Sequence, residues 1–227
     1  MRLYDMNTVA NFYRTNSTMR SIINDYPTRV DYAQVDSNLV MVNVYAYDPS
    51  WKVEICEGDS LLECTRVYTE DPFHTLAYDV AQYRISGYYS TSYVTQPNTH
   101  MFEAHAATAT RPITVRVIDS FGNSHLKSIQ RPHDYNLGME SNENDLTVGD
   151  VNTDNEVTIA DINLVIDAMV GQGHHSYCPI LTDCNGDNEV NIADINFVID
   201  LILDNSSQYS ATGATMAYES NIKNKRK

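Results

Sequence analysis

The feature that most constrains this chain is an internal duplication between Asp150 and Leu203. One copy begins Asp150-Val151-Asn152-Thr153-Asp154-Asn155-Glu156-Val157-Thr158-Ile159-Ala160-Asp161. The other begins Asp183-Cys184-Asn185-Gly186-Asp187-Asn188-Glu189-Val190-Asn191-Ile192-Ala193-Asp194. At an offset of 33 residues, 14 of the 21 positions from 150 to 170 recur. Each copy places oxygen side chains at loop positions 1, 3, 5, 9 and 12, and position 7 (Glu156 or Glu189) supplies a backbone carbonyl. A hard divalent ion such as Ca²⁺ takes six to eight oxygens from a flexible loop, and this spacing wraps a chain around one. The expected ligands are Asp150, Asn152, Asp154, Glu156, Thr158 and Asp161 for one ion, and Asp183, Asn185, Asp187, Glu189, Asn191 and Asp194 for a second. Position 6 holds Asn155 or Asn188 where such loops usually carry Gly, and Asn tolerates the left-handed turn required there. Position 12 is Asp, shorter in reach than Glu but still offering two oxygens.

A helical period follows each loop. Ile162, Val165, Ile166 and Met169 fall on one face, as do Ile195, Val198, Ile199 and Ile202. No such period precedes the first loop, from Ser141 to Gly149, so the unit is half of a helix-loop-helix hand. Between Glu140 and Asp204 there are 14 acidic residues and no Lys or Arg. Such a segment repels itself, and two Ca²⁺ would offset four of those charges.

On these residues, the segment 148–204 resembles a type I dockerin, a module that docks proteins onto cohesin domains of scaffold proteins. The resemblance implies two Ca²⁺ on the twelve positions above. It also places the partner-reading positions, loop sites 10 and 11, on Ile159-Ala160 and Ile192-Ala193. Because that pair is the same in both copies, it implies docking in either of two orientations through an apolar contact.

From Asp36 to Arg131 the period is two. Val40, Val42, Val44 and Ala46 alternate with Met41, Asn43 and Tyr45; Val53 and Ile55 alternate with Lys52 and Glu54; Ile113, Val115 and Val117 repeat the pattern. Turns at Glu57-Gly58-Asp59-Ser60 and Phe121-Gly122-Asn123 separate short strands, which predicts an all-β sandwich. The expected fold class is therefore mainly β, an Ig-like sandwich followed by a small all-α module of two calcium loop-helix repeats. Residues 1–34 read as an irregular or helical lead-in, with short helices over Met6–Tyr13 and Ser17–Tyr26 too short to hold a core alone. The sandwich is expected over 35–133, a linker over 134–147, and a disordered tail over 205–227.

Four segments in order carry a second resemblance. They are Tyr47-Asp48-Pro49-Ser50-Trp51-Lys52-Val53-Glu54, Asp71-Pro72-Phe73-His74 with Tyr78, Asn98-Thr99-His100-Met101-Phe102, and Val117-Ile118-Asp119-Ser120-Phe121-Gly122-Asn123. The set, over roughly 35–131, resembles the C-terminal β-sandwich of bacterial calcineurin-like phosphoesterases. That implies a phosphoesterase domain N-terminal to it in a longer protein. The metal-binding motifs of such a catalytic half are not found in this sequence: Gly122-Asn123-Ser124-His125 has the wrong third residue, and Gly173-His174-His175-Ser176 lacks the final His. No catalytic residue is assigned.

The formal charge of −15 speaks against nucleic acid or an anionic membrane as partner. No run of 18 apolar residues is present, so no membrane insertion is expected. Met1 to Met6 lacks the build of a secretory signal. Either the protein stays inside the cell, or the chain is the C-terminal piece of an extracellular or cell-surface protein. The functions weighed are a non-catalytic, cohesin-docking region of a phosphoesterase, a stand-alone calcium-binding adaptor, and a carbohydrate-binding sandwich.

Other features have structural readings. Asp71 and His74 read as a turn fixed by side-chain hydrogen bonds rather than an acid–base pair. Tyr88, Tyr89 and Tyr93 offer either a sugar-stacking platform or edge packing. Cys56 should face Leu61 across a hairpin, leaving Cys64 out of register for a bridge. Cys178 and Cys184 are spaced for a disulfide, and with His174 and His175 form a loose zinc-like set.

Overall fold

The computed structural model describes residues 1–27, 29–75, 78, 95–133, 143–171 and 178–204, without the side chains of residues 143 and 144. The chain forms two units, one from Met1 to Leu146 and the other from Thr147 onward.

The first unit is built on two antiparallel sheets. In the first, β1 (Arg2–Asp5) pairs with β2 (Leu39–Asn43), β2 with β6 (Asn98–His105), and β6 with β5 (Thr65–Thr69). In the second, the order is β4 (Ser60–Leu62), β3 (Lys52–Glu57), β7 (Ile113–Ile118), β8 (Ser124–Ile129) and β9 (Glu143–Leu146). The alternation read from the sequence is the alternation observed. Val40, Val42, Ile55, Phe102, Val115 and Val117 meet in one core between the sheets.

What the period did not disclose is that β2 is buried on both faces. Leu39 and Met41, on its other side, enter a second core with Tyr4, Met101 and the helices of the lead-in. Those helices are α1 (Met6–Thr15), capped by the Asp5 side chain, and α2 (Ser17–Asp25), capped by Asn16, which accepts from Met19 N at 3.0 Å. Met6, Val9, Ala10 and Tyr13 on α1, and Met19, Ile22 and Ile23 on α2, are buried against the first sheet. The two helices expected in the lead-in over 1–34 are present, and its first residues add an edge strand. Apolar Met41 and Met101 needed a cover, and the chain provides its own. Within the linker expected over 134–147, Glu143–Leu146 pairs with β8.

One end of the sandwich is closed by buried charge. Arg131, fully buried, lies 3.5 Å from Asp5 and 3.8 Å from Glu57, both also buried. Asp5 ends β1 in one sheet and Glu57 ends β3 in the other, so the guanidinium ties the sheets together. Backbone amides complete both carboxylates: Asp5 accepts from His133 N at 3.2 Å, and Glu57 accepts from Ala107 N and Thr108 N at 2.6 and 2.9 Å. Burial pushes the Glu57 carboxyl up, but the hydrogen bonds of Thr108 and Ala107 and the nearby Arg131 outweigh it and hold its pKa below the usual carboxylate value.

Cys56 faces Leu61 as its strand register requires. All four cysteines are free, and Cys178 and Cys184, though spaced for a bridge, are not joined. The Cys184 thiol instead donates to Leu181 O at 3.2 Å. The tyrosines at 88, 89 and 93, the histidines at 174 and 175 and the tail 205–227 lie outside the described residues. No described helix is long and apolar enough to cross a membrane.

Candidate metal centre and docking face

In the second unit the duplicated sequence folds twice into the same local structure. Gly149, at φ 91°, opens the first loop; a Cβ there would stand 2.9 Å from Leu201 and 3.2 Å from Val157, so the close approach admits only glycine. Asp150 turns its carboxylate into the loop and accepts from Asp154 N and Asn155 N at 3.1 and 2.9 Å. Asn152 accepts from Asp154 N, and Asp154 from Glu156 N, at 2.8 and 2.9 Å. Asp161 closes the loop from the helix, accepting from Val151 N, Asn152 N and Thr158 N at 2.8, 3.1 and 2.8 Å.

The second loop repeats most of these bonds, and Asp183 also accepts from Gly186 N at 3.0 Å. Asp183 accepts from Asp187 N and Asn188 N at 3.1 and 3.2 Å. Asn185 accepts from Asp187 N, and Asp187 from Glu189 N, at 2.8 and 2.9 Å. Asp194 accepts from Asn185 N and Asn191 N at 3.1 and 2.9 Å. Asn155 and Asn188 take the left-handed conformation their position demands, at φ 72° and 76°.

Each loop ends as a helix cap. Thr158 accepts from Ala160 N at 3.1 Å and Asn191 from Ala193 N at 2.8 Å, so position 9 starts the helix that follows. The helices run over Ile159–Val170 and over 192–204. The first ends at Gly171, in the left-handed conformation at φ 63°. Among the described residues no helix enters the first loop, which follows the strand Glu143–Leu146. The second is entered by one short turn, Pro179–Thr182, which the sequence pattern did not disclose and whose Ile180 and Leu181 are buried.

The electrostatics favour a cation. Positions 1 and 12 of both loops, Asp150, Asp161, Asp183 and Asp194, are buried carboxylates in a segment without Lys or Arg. Burial, and then the charges of Asp161 and Asp154, raise the pKa of Asp150. The side-chain oxygens of position 3 and the carboxylates of positions 1, 5 and 12 belong to one compact ring of turns, while Glu156 and Glu189 are exposed, the Glu189 carboxylate accepting from Asn191 Nδ2 at 3.3 Å. That hard-oxygen donor set fits Ca²⁺ rather than a softer metal. Among the described residues no three His, Cys, Asp or Glu side chains converge as a metal cluster. The oxygens accept from backbone amides and from amide side chains instead, as Asp154 does from Asn152 Nδ2 at 2.7 Å and Asp187 from Asn185 Nδ2 at 3.0 Å.

Position 4 differs between the copies and was missed from sequence. Thr153 and Gly186 both adopt positive φ, 61° and 78°. A β-branched residue is strained there, whereas Gly is not. Replacing Thr153 by Gly is therefore expected to stabilise the second unit by about 1 kcal/mol, read as a higher calorimetric midpoint, and Gly186→Thr should lower it comparably.

The helices bury less of their apolar faces than their period suggests. Val165, Ile195 and Val198 are buried, but Ile166, Met169 and Ile199 are exposed. The exposed residues obey the duplication: Ile159 and Ile192 (69% and 61% exposed), Ile166 and Ile199, and Val170 and Leu203 are equivalent pairs. Ala160 and Ala193 are exposed beside the first pair. Each copy thus presents apolar side chains at equivalent positions, spaced seven and then four apart on one helical face, while Met169 is exposed and its counterpart Ile202 is half-buried.

Residues 1–125 match the family described as C terminal of calcineurin-like phosphoesterase. The match covers more than half of the chain, and the chain belongs to that family. It begins at residue 1, so the strand and helices ahead of residue 35 are part of the family domain. Residues 148–203 match the type I dockerin domain, a calcium-binding, cohesin-binding module. No curated protein and no solved structure matches the chain.

Proposed function

We propose that this chain is the non-catalytic C-terminal region of a secreted or cell-surface calcineurin-like phosphoesterase, and that its dockerin docks to a cohesin domain of a scaffold. Each loop binds one Ca²⁺ through the six positions named above. The sandwich is the accessory domain between the phosphoesterase and the docking module. The observation that carries this reading is the exposed apolar set repeated in both copies. A module with two equivalent faces docks in either of two orientations, with Ile159-Ala160 or Ile192-Ala193 at the contact.

Binding to immobilised cohesin domains, measured in Ca²⁺ and in chelator, tests the reading. Ile159→Asp or Ile192→Asp alone removes one of two equivalent modes, so affinity should fall only about twofold. The double variant should lose at least about 100-fold, as expected when the central apolar contact of an interface is removed. A single substitution that abolishes binding would sink the two-orientation model. Absence of any calcium-dependent partner would sink the docking role.

A stand-alone calcium-binding adaptor is the second reading, since the docking face alone would serve it. The genomic frame upstream of Met1 separates the two. A continuous frame through a metallophosphoesterase domain supports the first, and a stop codon close upstream supports the second.

A further inference from the structure

The sandwich holds a cleft of about 570 Å³ at the end of the first sheet where Arg2, Asn43 and His100 lie. A space of that size suits a small molecule. Its polar wall is braced from behind. The carboxylate of Asp71 accepts from Tyr4 OH at 2.7 Å, from His74 N at 2.8 Å and from the side-chain amide of Asn43. Because the Asn43 NH₂ is spent on Asp71, its Oδ1 faces His100, whose Nδ1 stands 2.7 Å away. That contact makes Nδ1 the donor and puts Nε2 at the disposal of the cleft. His74 is held in the same way, its Nδ1 2.6 Å from Thr95 Oγ1 and its ring stacked on Tyr78 with centroids 5.2 Å apart.

The other wall is aromatic and carries a permanent cation. The Arg2 guanidinium lies 3.9 Å from the ring centroid of Phe73, and no carboxylate among the described residues forms an ion pair with it. In a chain of net charge −15, a guanidinium held over an aromatic ring at a cleft wall, with the one lining carboxylate already satisfied by three donors, is unusual. We infer that this cleft binds a small anionic saccharide, its oxyanion at Arg2, its ring against Phe73 and Tyr78, and its hydroxyls on His100 Nε2 and the amides of Gln96 and Asn98. The shared chemistry is an oxyanion on a hydroxylated ring, whether phosphate or carboxylate. The inference is independent of the docking reading, since none of these residues belongs to the calcium module.

Isothermal titration of the full chain with glucose 6-phosphate, glucuronate, inorganic phosphate and glucose tests it. Saturable millimolar or tighter binding is expected for glucose 6-phosphate, glucuronate or both, and which of them binds identifies the oxyanion. Glucose and inorganic phosphate should each bind at least tenfold more weakly. Arg2→Met should weaken the better ligand at least tenfold without moving the melting temperature, and Arg66→Met, the same charge change on an exposed strand outside the cleft, should leave it unchanged. Phe73→Leu should also weaken it; should that variant melt early, the Arg2 result decides alone. Binding by none of the probes, equal binding of glucose or of inorganic phosphate, or indifference to Arg2→Met would overturn the proposal.

Discussion

Chelating Ca²⁺ from the full chain is expected to abolish the helical circular dichroism of the second unit and one of two thermal transitions, leaving the sandwich transition in place. The reason lies in the loops. Four buried carboxylates, Asp150, Asp161, Asp183 and Asp194, start or close the turns from which both helices are capped. Without a cation they repel one another in a segment that has no Lys or Arg to replace it. With free Ca²⁺ at 100 times the dissociation constant, each ion contributes about 2.7 kcal/mol, so two contribute about 5 kcal/mol. That equals the whole stability of many small domains, and the described residues of the module bury a small apolar set, Val151, Val165, Ile180, Leu181, Ile195 and Val198. Asp161→Ala should remove one ion and about half of that stabilisation, and Asp194→Ala the other. A helical signal that survives chelation would show that packing alone holds the unit.

Arg131→Met is expected to cost the sandwich about 3–5 kcal/mol, the usual penalty when one partner of a buried ion cluster is removed. Asp5 and Glu57 would then be buried charges held by neutral donors, backbone amides and the hydroxyls of Thr8 and Thr108. For a unit near 150 residues, that loss lowers the melting temperature by roughly 10 °C or more. Adding Asp5→Asn and Glu57→Gln should recover much of it, because the uncompensated charges are what destabilise. A loss below about 1 kcal/mol would mean that buried water or backbone donors already carry both carboxylates. The calcium module should melt unchanged in either case.

What the sequence disclosed follows from what local pattern encodes. The sandwich strands were legible because one face alternates, and the loops because a calcium site fixes oxygen types at fixed intervals. Residues 2–5 were not, since four residues in an edge strand carry no period and their pairing with Leu39–Asn43 is set by contacts almost forty residues away. The double burial of β2 was hidden for a related reason: Leu39 and Met41 look like an outward face until the α1 and α2 layer is placed over them. In the loops, Asn155 and Asn188 announced their left-handed turn. Thr153 did not, because a β-branched residue argues against the conformation it adopts. Asp71 and His74 were rightly read as a hydrogen-bonded turn. The cleft they brace depends on Arg2, Asn43 and His100 arriving from three other places in the chain.

The most direct measurement is native mass spectrometry of the full chain from Ca²⁺-containing buffer, alongside Asp161→Ala and Asp194→Ala. Two bound Ca²⁺ on the parent and one on each variant is the predicted result. A parent that carries no calcium, or variants that keep both ions, would contradict the assignment of one ion to each repeated loop and the docking function built on it.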